Sequence, residues 1–290
     1  MDWFYLALLS ALSLAFADAF SKKYFTENTG LELLLVRFFV PGVLLLPLAM
    51  TGSYPGMGSA FWLWIAILIP MELLAMLLYS LAIRDSPLFL TLPYLAFTPV
   101  FNVFTANIIL GETVTGQNLF GIVLVVSGAY LLNIRKSENG RVSNLIHPLK
   151  AIFTERGSRL MLTAAIIYSL TGAMTKAAMA YVGPKTFGAF YFSIIGFSGF
   201  VLALLIKPES IKIVVKKPRY ALIVGVCMAV MVITHFLSIS QIQVAYMVAV
   251  KRTSLLFGII LGAIFFSERH LSQHIVAGSL MVAGVTIILI

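Results

Sequence analysis

Two adjacent cations, Lys251 and Arg252, interrupt a run that is otherwise apolar from Val244 to Phe266. They sit about two helical turns inside it, roughly 10 Å at 1.5 Å per residue. A charge that deep in a bilayer costs at least ~3 kcal/mol, so it belongs in a protein interior or a wet cavity. Arginine offers a planar bidentate fork to a carboxylate or phosphate, and lysine a point charge. Neighbouring helical residues point about 100° apart, so the two cannot face one spot equally. The spacing predicts anion recognition in a cavity. The competing reading is that one side chain snorkels to the outer interface or pairs with a structural carboxylate.

Glu72 lies in the middle of another apolar run, in Ile69-Pro70-Met71-Glu72. Without a partner it would protonate rather than stay charged. It is expected to pair with Lys251 or Arg252, to carry a coupling proton or to receive a substrate ammonium; a fixed structural ion pair is the alternative. Pro70 removes one helical hydrogen bond just before it. His235 aligns with Tyr79, so both would reach a cavity from pseudo-symmetric positions or serve as packing. Lys176 is a cavity contact or an interfacial snorkel, and Asn102 a cavity-lining residue or polar glue between helices. Tyr246 is a further lining candidate. Asp18 and Lys22 are spaced as an i,i+4 pair, and Arg37 is expected to pair with Glu32 or Asp18, as structural or gating contacts on the cytoplasmic side. His270 and His274 share helical spacing but lack a third ligand, so no metal site is expected. A single cysteine, Cys227, excludes an internal disulfide.

These residues need helices in a membrane to hold them. The 290 residues are 60% hydrophobic and 11% charged, against about 25% charged in soluble domains. The mean hydropathy is +1.01. Runs of about 20 apolar residues suit spans. They fall near residues 3–24, 31–50, 60–83, 88–110, 116–133, 158–181, 185–206, 218–239, 244–266 and 272–290. The first run follows no basic segment and is expected to be a retained span rather than a signal peptide. The net charge of +9 does not imply nucleic acid. Of the 20 Lys and Arg residues, 15 fall in or beside connections on one side, one (Lys185) on the other, and four within spans. This asymmetry predicts both termini outside and the basic 134–157 linker in the cytoplasm.

The chain also repeats itself. Gly111-Glu112 and Gln117 precede the fifth run as Ser267-Glu268 and Gln273 precede the tenth, and Ser21-Lys22 lines up with Thr175-Lys176. Residues 1–133 and 158–290 are thus two five-helix repeats. An odd number of spans inverts the second, an arrangement that places a transport site between repeats near the midplane. Glu112 and Glu268 are expected to favour the helix N-termini they precede. Gly121, Gly128, Gly278 and Gly284 suit close packing of the fifth and tenth spans, and Gly258 with Gly262 a close approach in the ninth. Pro93 and Pro99 are expected to kink the fourth span.

Lys22, Arg37-Phe38-Phe39, Pro99, Leu110-Gly111-Glu112, Gly121, Gly128, Lys176, Ser267-Glu268, Gly278 and Gly284 together resemble the drug/metabolite transporter superfamily in its ten-helix EamA-type branch. The resemblance implies an all-α protein of the cell (inner) membrane with a central cavity, a secondary transporter or exporter of small metabolites, often amino acids. Half two departs from the pattern: Ser254-Leu255 stand where half one has Thr98-Pro99, and Lys251 and Arg252 stand opposite Leu95 and Ala96. The expected function is secondary transport of a small polar metabolite with a carboxylate, amino acid-like, bound at Lys251 and Arg252 with Glu72 as counter-charge or proton carrier. The competing readings are proton-coupled export of lipophilic cations and a non-transporting scaffold or lipid-handling protein. No nucleophile–base motif such as His-Glu-x-x-His or Gly-x-Ser-x-Gly suggests an enzyme. The expected partners are a small-molecule metabolite, a coupling proton if Glu72 carries one, and membrane lipids. No cofactor and no nucleic acid are expected, in a monomer or homodimer.

Overall fold

The structure is a computed structural model that describes residues 2–25, 27–55, 57–85, 94–132, 155–266 and 271–290. Most of the 134–157 linker, Pro93, Ser267, Glu268 and His270 lie outside the described residues. Among the described residues all regular structure is helical. Seven stretches are long and apolar enough to cross a membrane: Asp2–Phe25, Gly30–Met50, Ser59–Tyr79, Arg156–Met179, Pro184–Ile206, Pro218–Ile239 and Val244–Gly262. Thr98–Leu110, Gly116–Leu132 and Val276–Leu289 are shorter apolar helices.

In chain order the helices are α1 (Asp2–Phe25), α2 (Gly30–Leu34), α3 (Val40–Met50), α4 (Ser59–Asp85), α5 (Thr98–Leu110), α6 (Gly116–Leu132) and α7 (Arg156–Met179). They continue as α8 (Pro184–Ile206), α9 (Lys212–Lys216), α10 (Pro218–Ile239), α11 (Val244–Lys251), α12 (Ser254–Phe266) and α13 (Leu271–Leu289). Local chemistry sets several ends. Thr29 and Glu32 form a reciprocal capping box at α2, which satisfies two otherwise orphaned donors. Gly111 closes α5 in the left-handed region, φ 68°, where glycine carries no Cβ penalty. A π-helical turn, Leu35–Phe39, joins α2 to α3.

The chain divides into two compact units, each drawing on both halves of the sequence. The first comprises residues 1–69, 175–242 and 256–269. In it α3 and α8 pack closely: a Cβ on Gly42 would meet the Phe192 carbonyl at 3.1 Å, and one on Gly199 the Leu34 side chain. Contacts that pair Leu34 with Gly199 and Gly42 with Ser193 make these helices antiparallel. Helices α1 and α10 are also antiparallel, joined by Ser10 to the Met231 carbonyl at 3.1 Å and Ser238 to the Trp3 carbonyl at 2.6 Å. The buried face of α1 consists largely of Ala and Ser, small residues that let backbones approach.

The second unit comprises residues 70–174, 243–255 and 270–290. Its closest contact is α6 against α13. A Cβ on Gly121 would come within 2.8 Å of the Gly284 carbonyl, one on Gly284 within 2.5 Å of the Gly121 carbonyl, and one on Gly128 within 2.5 Å of the Ala277 carbonyl. The glycine spacing of the fifth and tenth runs therefore serves packing, and these two helices are antiparallel. In the first unit Gly258 differs from its expectation: among the described residues nothing lies within 4 Å of the position its Cβ would take.

Candidate functional site

The long ninth apolar run is not one helix. α11 ends at Lys251, Arg252 and Thr253 form a turn, and α12 starts at Ser254. The Arg252 N–H bonds the Val248 and Ala249 carbonyls at 3.1 Å, and the Thr253 N–H and hydroxyl both donate to the Val250 carbonyl, at 3.0 and 2.8 Å. Both cations thus stand at a helix C-terminus, where the partial negative charge of the last carbonyls favours them. This offsets part of the burial cost that a charge in mid-helix would carry.

Helix α4 supplies their counterparts from within the same unit. Glu72 has Thr171 of α7 and Lys251 as its polar neighbours; the Thr171 hydroxyl itself donates to the Tyr168 carbonyl at 3.3 Å. Tyr79 is the electrostatic neighbour of Arg252. Glu72 and Tyr79 are seven residues apart, so they share one face of α4 about two turns apart. The two cations thereby have different electrostatic neighbours on one face of α4. The Nε of Arg252 is buried and has no hydrogen-bond partner among the described residues. That N–H is a donor a solute anion can take.

Asn102 of α5 lies in this unit with 1% of its surface exposed. Neither its Oδ1 nor its Nδ2 has a partner among the described residues. Tyr246 is buried, and its hydroxyl accepts a hydrogen bond from the Thr115 N–H at 3.4 Å, which ties α11 to the turn before α6. The Glu112 carboxylate accepts from the Val244 N–H at 2.8 Å and so caps α11. Asn107 holds the same turn through the Glu112 carbonyl at 3.0 Å.

The remaining candidates lie in the other unit. Lys176 donates to the Ile242 carbonyl at 2.5 Å, just beyond the end of α10. His235 packs edge-on against Phe236 with ring centres 5.0 Å apart. Arg37 takes Asp18, not Glu32, as its partner at 2.5 Å; Glu32 is engaged in the capping box with Thr29. Lys22 lies in the last turn of α1 beside Lys23. Among the described residues no cluster of metal-ligating side chains occurs. Thr171 and Gly172 were absent from the residues singled out by sequence. Their signal was the polar stretch Ser169-Leu170-Thr171-Gly172 inside α7, the least apolar of the seven spans by composition apart from its charged ends.

A solved structure described only as "Crystal structure of protein" superposes on 99% of this chain and 95% of its own, with a TM-score of 0.71 at 13% identity. At that identity the likeness is one of fold. No curated protein sequence matches the chain. The EamA-like transporter family matches residues 1–134 and again residues 156–290, which is consistent with the drug/metabolite transporter superfamily. Two matched segments, apolar helices of spanning length and paired charges inside them describe a membrane transporter, and the chain belongs to the EamA-like transporter family.

Proposed function

We propose that the protein is a secondary transporter that exports a small polar metabolite with an anionic group, amino acid-like, by alternating access. One observation carries this reading: Lys251 and Arg252 stand at a break in a membrane helix, with Glu72 and Tyr79 as electrostatic neighbours and the Arg252 Nε unbonded. The solute's carboxylate binds Arg252 and competes with Glu72 for Lys251. Glu72 then serves as counter-charge to a solute ammonium or takes up a coupling proton. Ten spans in two inverted repeats are the architecture this reading requires. It is supported by the antiparallel packing of α3 with α8 and α6 with α13, helices of the same rank in each half. The excess of Lys and Arg on one side supports an inner-membrane orientation with both termini outside.

The test is uptake of labelled metabolites into liposomes that contain the purified protein. Lys251→Ala or Arg252→Ala is expected to lower uptake about tenfold or more, since a hydrogen bond to a charged group contributes ~1.5–3 kcal/mol. Normal transport of every solute by both variants would overturn the assignment. Export of lipophilic cations is the second reading, centred on Glu72. Two fixed cations beside the path repel such cargo, and unchanged drug sensitivity of a deletion strain is the expected result.

A further inference from the structure

We infer that the groove between α3 and α8 holds one acyl chain of an anionic phospholipid, whose headgroup sits on the basic segment that follows α8. This site belongs to the first unit, whereas Lys251 and Arg252 belong to the second, and it does not rest on the transport reading. The groove has a volume of about 510 Å³. Leu46 and Ala49 of α3 line one side, and Phe190, Ile194, Phe197 and Val201 of α8 the other. The α8 residues recur at three- and four-residue spacing and so share one face. Of the two serines in the lining, Ser193 already has its hydroxyl on the Gly42 and Ala189 carbonyls, at 2.9 and 2.8 Å. Among the described residues the lining contains no charged side chain. A hydrocarbon chain suits such a surface better than a polar solute does. Phe190 and Val201 are eleven residues apart. That is about 16 Å along a helix, close to the ~15 Å of hydrocarbon in one leaflet.

The two ends of the groove differ. At one end Phe190 packs against Tyr54, Phe61 and Trp62, with ring centres 5.7, 5.8 and 6.1 Å away. These rings close it. At the other end Val201 is 53% exposed, and Leu204, Leu205 and Ile206 continue as an exposed apolar stripe. The stripe leads into residues 207–219, which carry Lys207, Lys212, Lys216, Lys217 and Arg219 against one carboxylate, Glu209. Lys207 has Glu32 in electrostatic range, and Lys217 donates to the Tyr24 carbonyl at 2.7 Å. Lys212 and Lys216 are exposed and flank Val215, itself 78% exposed. An apolar side chain between lysines is how an interfacial segment meets headgroups. A chain thus enters the groove from the end that carries positive charge, and each cation near the surface favours an anionic headgroup over a neutral one. A second copy of this chain is the poorer occupant. Two-fold symmetry in one membrane brings the same basic segment to the same end of both copies, where like charges repel.

The experiment uses the full chain purified in a neutral detergent. It is incubated with labelled phosphatidylglycerol or with phosphatidylcholine of the same acyl chains, and the lipid retained through gel filtration is measured. Wild type is expected to retain phosphatidylglycerol about tenfold better. Lys212→Gln with Lys216→Gln is expected to abolish that preference and leave phosphatidylcholine retention unchanged. Val201→Trp, which fills the open side of the groove, is expected to lower retention of both lipids about tenfold. Equal retention of the two lipids by wild type, a preference that survives the lysine variant, or retention untouched by Val201→Trp overturns the inference. Displacement of the lipid by glycerol phosphate would mark a site for a free anion, and a dimer that Val201→Trp converts to a monomer would put a second copy in the groove; either result also overturns it. Should Val201→Trp fail to fold, the lysine variant decides, since both of its side chains are exposed.

Discussion

The starts of α5 and α12 are the two halves' versions of one feature, and they differ in the residues that matter. The offset of 156 residues that carries Glu112 onto Glu268 also carries Ala96-Phe97 onto Arg252-Thr253. Both dipeptides are turns between helical segments. The Phe97 N–H bonds the Tyr94 carbonyl at 3.2 Å, and at the matching place the Thr253 N–H bonds the Val250 carbonyl at 3.0 Å. Each break also has a threonine hydroxyl on a carbonyl three residues back: Thr98 on Leu95 at 2.7 Å and Thr253 on Val250 at 2.8 Å. In half one Pro99 accounts for the interruption, since it lacks an N–H. Half two has Leu255 there and breaks all the same. The break is thus a property of the fold, whereas the charge is carried by one copy of it.

The strongest way to break this comparison is to give the second turn the residues of the first. Lys251→Leu with Arg252→Ala is expected to leave the helix break and thermal stability intact and to lower solute uptake about a hundredfold, from loss of ~1.5–3 kcal/mol per charged contact. Uptake into liposomes beside a melting curve checks it, and a variant that transports normally would show the two turns to be functionally equal.

A smaller effect concerns the prolines. Leu255→Pro transplants the half-one residue into the first turn of α12, where its N–H makes only a 3.1 Å bond to the Arg252 carbonyl. It is expected to cost less than ~1 kcal/mol, against ~3 kcal/mol for Leu261→Pro in the interior of the same helix. Denaturation of both variants in detergent separates the two outcomes; equal losses would mean that α12 depends on that N–H. A change of similar size is expected from the hydroxyls. Thr98→Val and Thr253→Val each remove one hydrogen bond at the break, a loss of about 1 kcal/mol, and the same method checks that the two are alike.

Much of this was legible in the sequence because hydropathy and punctuation act locally. The apolar run predicted at 218–239 coincides with α10, and that at 185–206 lies within one residue of α8. The repeated glycines of the fifth and tenth runs marked a helix contact before any coordinates, since only a missing side chain lets two backbones come that close. The depth of Lys251 and Arg252 in an apolar run was equally plain.

What the sequence alone determined is therefore most of the helices, the family resemblance and the charges that a bilayer would not tolerate bare. The tertiary structure alone decided their partners. Nothing local tells Glu112 to cap α11 or Lys176 to bond the Ile242 carbonyl, because each choice depends on which distant backbone comes within 3 Å or so of a side chain's polar atoms. The break at Arg252 belongs to the same class. No proline announces it, and only packing against the other helices of its unit makes a turn there cheaper than a continuous helix.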